Sequence, residues 1–171
     1  KVEAAKQRQV LAKPKPNAQG KITLPKSIDK GVIFLENSYK LLEEGGRFGI
    51  VLSNSIVSIA EWGNIRKWLI ERVRIVGLFD LPVNTFGETG VATTVIIAYK
   101  PKSKEKHLLD ADYEVFIKEV ENIGYEVKTV KRTITFKPQF VINEKTFEHK
   151  SKLEEDFSVM QDEFKEFLKH Q

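Results

Sequence analysis

Cysteine is absent from the 171 residues. That removes disulfides, thiolate metal sites and cysteine nucleophiles together, and it fits a reducing compartment. No apolar run approaches the ~20 residues of a membrane helix, so no membrane association is expected and a cytoplasmic location is. Nor do residues 1–21, "KVEAAKQRQVLAKPKPNAQGK", hold the apolar stretch of a signal peptide. The three histidines, 107, 149 and 170, lie apart in charged stretches, so no metal cluster is expected. Phosphate-binding and dinucleotide glycine patterns are missing too, because "GETGVATT" has neither the spacing nor a following helix. The chain opens with Lys rather than Met, as expected of a piece of a longer polypeptide or a processed product.

What is present is a charged, core-forming composition: 41% hydrophobic, 10% aromatic and 30% charged, with a net charge of +4. The excess sits at the front. Residues 1–30 carry seven Lys and one Arg against Glu3 and Asp29. A basic, aromatic-free segment buries little. It reads either as a mobile solvated arm or as an arm that meets phosphates.

The next hundred residues alternate. "GVIFLENSYKLLEE", 31–44, spaces Ile33, Phe34, Tyr39, Leu41 and Leu42 as a helical face, ended by Gly45-Gly46. "RFGIVLS", 47–53, is a short apolar run of the kind buried on both faces of a sheet. A helix over 61–73 and strands over 74–82 and 90–100 follow. The loop from Pro82 to Gly90 is too short for a helical crossover, so the third strand is expected to run antiparallel to its neighbours. Residues 112–127 read as a strand or short helix with a turn at Gly124. Residues 144–170 read as one helix with a Leu153, Phe157, Met160, Phe164, Phe167 seam, facing either its own domain or a partner helix.

The order of these pieces resembles a known family. "FLENSYKLLEEGGRFGIVLSNSIV", then "LFDLPVNTF" and "TGVATTVIIAYK", are similar to the amino-methylating DNA methyltransferases, above all the modification subunit of type I restriction–modification systems. "DYEVFIKEVENIGYEV", 112–127, resembles a segment that follows the catalytic core there. The fold then expected is α/β: a partial, Rossmann-like S-adenosylmethionine-dependent methyltransferase sheet with one antiparallel strand and a C-terminal helical extension. Residues 1–30 would be a basic loop or arm. Residues 31–127 would be the C-terminal half of the methyltransferase domain, and 128–171 a β-prone linker and amphipathic helix. In the family order the third strand lies between the first two, leaving the first strand an open edge where a dimer or an added segment is expected.

The departures matter equally. The family's glycine-rich loop for S-adenosylmethionine and its Asn/Asp-Pro-Pro-aromatic tetrapeptide have no counterpart here, since no proline follows Asn or Asp. No catalytic or cofactor-binding residue is therefore expected within the chain, which alone should be inactive. What the resemblance implies is the target-base half of an adenine-N6 methyltransferase. Phe86, five residues ahead of Val91, has the spacing of an aromatic that stacks on the extruded adenine; the other reading of Phe86 is a core cap. Ser53, Asn54, Asp80, Pro82, Thr89 and Gly90 are candidates to line the cleft, or plain turn residues. The partners implied are double-stranded DNA and the specificity and restriction subunits. The alternatives are a module that docks a specificity subunit through its C-terminal helix, and part of a single-chain restriction–methylation enzyme.

Overall fold

The computed structural model describes residues 15–16, 18–20, 22–23, 29–87, 90–130 and 133–170. Most of the basic arm, and Thr89, lie outside these. Lys15–Pro16 (β1) and Ile22–Thr23 (β2) form a small antiparallel pair. Helix α1, Lys30–Leu41, starts where Asp29 accepts a hydrogen bond from the Gly31 amide at 2.7 Å. Strand β3, Arg47–Ser53, leads into the short helix α2, Asn54–Ser58, a 3₁₀ turn over Ala60–Trp62 and α3, Gly63–Ile70. Then come β4, Arg74–Leu81, β5, Thr93–Tyr99, a 3₁₀ segment over Ser103–Leu109 and β6, Phe116–Glu119. Two hairpins follow, β7 (Tyr125–Val130) with β8 (Thr133–Pro138), and β9 (Phe140–Ile142) with β10 (His149–Leu153), before α4, Phe157–Leu168.

The central sheet has the order β3-β5-β4-β6. As expected, β5 is inserted antiparallel between β3 and β4. Beyond the expectation, β6 joins β4 in parallel. Pairing puts Leu52, Thr94 and Asp80 in one row and Ser53, Thr93 and Leu81 in the next. Successive rows face opposite sides. One side meets α1, α2 and α3 through Val32, Leu35, Ile56, Ile65, Trp68 and Leu69, which close over Leu52, Ile96 and Ala98. Arg66 ties α3 to the end of α2, donating to the carbonyls of Ile56 at 3.0 Å and Ile59 at 2.7 Å. Among the described residues no strand pairs with the outer edge of β3.

Helix α1 corrects one expectation. Phe34 and Leu41 are 65% and 85% exposed, and the buried stripe is Val32, Leu35 and Glu36. A periodicity count treats a carboxylate as an outward position. Glu36 is nonetheless fully buried and ion-paired with Lys40 one turn on, so the inward stripe is not the one the apolar spacing marks.

The C-terminus corrects another. The expected helix over 144–170 begins only at Phe157. Before it the chain reverses through a turn at Asn143–Glu148, where the Phe147 amide donates to the Asn143 carbonyl at 2.7 Å and Phe147 takes φ +57°. Helix α4 then lies on the second side of the sheet. The Phe164 ring sits 5.2 Å from Phe79 and 5.3 Å from Phe116, and Phe167 sits 5.6 Å from Phe116. Of the two readings of the aromatic seam, the structure shows this part of it packed on its own domain.

Asp156 joins α4 to the segment after β6. Its Oδ2 accepts from the amides of Asn122 at 2.7 Å and Glu121 at 2.8 Å. These bonds, chiefly that from the Asn122 amide, hold its carboxyl below the usual range. A depressed carboxylate stabilises the fold above its unfolded value and stops doing so as pH falls through its folded one. Amide exchange around residues 119–124 should therefore accelerate, beyond the intrinsic pH effect, below about pH 4. Asp156→Asn should exchange fast at every pH; a slow, pH-independent variant would refute the joint.

Candidate functional site

The carboxyl ends of β3 and β4 and the start of β5 converge, and in open α/β sheets ligands collect on that side. Thr94 is fully buried there. Its hydroxyl donates to Asp80 Oδ1 at 2.6 Å, and Asn54 Nδ2 reaches Thr94 Oγ1 at 3.3 Å and Asp80 Oδ1 at 3.5 Å. The Asn54 amide donates to the Ala92 carbonyl at 2.9 Å. Three strand ends are thus locked by one carboxylate, one hydroxyl and one amide. Ser53 lies beside them, its hydroxyl 2.9 Å from that of Ser55. Thr94 was not legible as a site residue; the signal available was a threonine at an inward position of an otherwise apolar strand.

From this lock the chain turns at Pro82 into the Phe86 loop. Thr85 is bonded back to the Pro82 carbonyl by its hydroxyl at 2.7 Å, and the Gly87 amide donates to the Asn84 carbonyl at 3.0 Å. Asn84 and Gly87 take φ +67° and +72°. Positive φ is cheap for glycine and tolerable for asparagine, so this is a built turn. A further tie comes from far along the chain: the Tyr125 hydroxyl donates to the Thr85 carbonyl at 2.6 Å. On this pinned turn the Phe86 side chain is 54% exposed. Val83 and Val91 beside it are exposed too. Gly90 faces open space, with nothing within 4 Å of where a Cβ would stand.

The structure therefore brings Asn54 and Asp80 into contact, with Ser53 adjacent. It puts Pro82 and Phe86 on the loop that leaves Asp80, and Gly90 at that loop's far end. Asp80 and Asn54 are occupied with each other and with Thr94. Among the described residues the turn after β3 is filled by Ser53, Asn54 and Ser55 side chains rather than by glycines. No group of His, Cys, Asp and Glu among the described residues could hold a metal. No helix among them is long and apolar enough to cross a membrane.

The family model for N-6 DNA methylases matches residues 7–167. A Methanocaldococcus jannaschii protein named as a type II restriction enzyme and methyltransferase is 31% identical over 99 residues, 57% of this chain and 8% of its own length. Among solved structures, the M protein of the type I restriction enzyme EcoKI is 24% identical over 46% of this chain and 16% of its own, with a TM-score of 0.41. A Listeria monocytogenes protein described as a class I S-adenosylmethionine-dependent methyltransferase is 16% identical, with a TM-score of 0.48 over 69% of this chain and 32% of its own. The chain thus spans under a third of each of these proteins.

Proposed function

This chain belongs to the N-6 DNA methylase family, and on that premise we propose that it supplies the target-base side of an adenine-N6 DNA methyltransferase of the type I modification-subunit kind, with Phe86 as the residue that stacks on the extruded adenine. The observation that carries this is the combination at Phe86: a side chain more than half exposed on a turn whose backbone is held at Thr85 and Gly87. A core cap would be buried. A solvated loop would have no need of an aromatic or of a tether from residue 125. A base taken out of a duplex loses its stacking partners, and an aromatic face replaces one of them.

The partners of this reading are double-stranded DNA and, in the assembled system, specificity and restriction subunits in the cytoplasm. The edge of β3 that no described strand pairs with is where the remaining part of the sheet, or a second copy, would pair. S-adenosylmethionine would supply the methyl group in the complete enzyme. The chain alone lacks the glycine cradle, so calorimetric titration of the 171 residues with S-adenosylmethionine should give no heat of binding; a micromolar Kd would show that the missing elements are not needed.

The reading is tested on the full-length polypeptide that carries this segment. Incubated with unmethylated bacteriophage DNA and S-adenosylmethionine, it should produce N6-methyladenine, measured by mass spectrometry of the nucleosides. Methylated cytosine in its place would sink the assignment.

A further inference from the structure

We propose that Tyr125 is a positioning residue that sets the direction of Phe86; this rests on the stacking reading above. The hairpin β7–β8 pairs Val127 with Phe136 and Thr129 with Ile134, so Tyr125, Val127, Ile134 and Phe136 share one face. A lone two-stranded hairpin is marginal in water, and this one presents that face to the Phe86 loop.

Two contacts define the docking. The Tyr125 hydroxyl holds the Thr85 carbonyl at 2.6 Å. The Phe136 ring, edge-on to Tyr125 with centroids 5.4 Å apart, lies 3.3 Å from where a Cβ on Gly87 would stand.

The consequence follows from peptide geometry. The carbonyl of Thr85 and the amide of Phe86 belong to one planar unit. Anchoring that oxygen fixes the plane entering Phe86. On the other side, Gly87 sits at φ +72° with Phe136 against it. The backbone on both sides of Phe86 is thus met by residues about forty to fifty positions downstream, while over half of the residue stays exposed. Nothing else the structure shows of Tyr125 needs a hydroxyl: its ring contact with Phe136 would survive in phenylalanine.

Tyr125→Phe removes the tether and keeps the ring. In the 171-residue chain, hydrogen exchange at residues 83–87 should rise about fivefold, the factor given by one ordinary hydrogen bond, with the melting temperature falling by no more than about 2–4 °C. Exchange that does not move overturns the tether and leaves the Phe86 reading standing. In the full-length protein, with unmethylated bacteriophage DNA as substrate, Tyr125→Phe should lower kcat about three- to tenfold with KM for DNA unchanged. Added to Phe86→Ala it should cause no further loss, because both act through one ring. A loss that multiplies in the double variant, or an unchanged kcat where Phe86→Ala is impaired, overturns the positioning role. If Phe86→Ala is itself fully active, the stacking reading fails and the positioning role falls with it, even where the loop exchange has risen.

Discussion

In the full-length protein, Phe86→Ala should cut the rate of adenine methylation by roughly 5- to 150-fold while leaving the fold almost untouched. The factor comes from base–aromatic stacking, ~1–3 kcal/mol per base in single-strand binders. It should appear wherever the extruded base is held, because the duplex competes for that base at every turnover. Stability should hardly change, for a reason visible in the structure. The loop is fixed by its backbone and by Thr85 and Tyr125, and over half of the Phe86 surface already faces solvent. Substitutions at such places stay within about 0.5 kcal/mol, under ~2 °C in melting temperature for a chain of this size. A buried core phenylalanine would cost ~3–5 kcal/mol. Measuring Tm and methyl transfer on the same variant separates the two roles. A large drop in Tm with proportionate loss of activity would return Phe86 to the core and remove the observation on which the proposed function rests.

The parts of the fold legible in the sequence are those fixed by neighbours along the chain. The strand at 74–81 is a near-continuous apolar run because the sheet there is covered on both sides. The run at 47–53 reads the same way, yet only one of its faces is covered: Arg47, Gly49 and Val51 are exposed, because β3 lies at the sheet edge, beyond the reach of α4. The antiparallel insertion of β5 followed from the nine-residue connection Pro82–Gly90, too short for a helical crossover. What escaped was set by distant partners. Glu36 is buried on the inward side of α1, ion-paired with Lys40, and no pattern of apolar residues announces a buried carboxylate. "HKSKL" pairs with "FVI" across a tight turn, yet its alternation is too polar to read as a strand. Thr94 and Tyr125 join the candidate site across 14 and 40 residues, a separation at which local spacing carries no signal.

The second large effect is expected at the other face of the sheet. Phe164→Ala should destabilise the chain by about 2–4 kcal/mol, less than a fully buried phenylalanine because its ring is only half-buried. The ring meets Phe79 at 5.2 Å, perpendicular to it, Phe116 at 5.3 Å and Phe167 at 6.3 Å, and Gly77 beneath leaves it room: a Cβ there would come within 3.1 Å of the Phe164 ring. Each aromatic pair adds ~0.5–1.5 kcal/mol to the burial itself. The twelve residues of α4 are too few to persist as a free helix in water, so losing the anchor should release the helix as a unit. The ion pair along its length, Lys118 to Glu163 at 2.7 Å, has both side chains at least a third exposed, and such pairs contribute ~0–1 kcal/mol. Lys118→Ala should therefore leave Tm nearly where it was, while Phe164→Ala should lower it by roughly 5–10 °C and remove helical signal before the sheet melts. Equal effects from the two substitutions would mean that charge, not the aromatic cluster, holds α4. A Phe164→Ala variant of undiminished stability that failed to assemble with a specificity subunit would mean that the seam belongs to a partner after all.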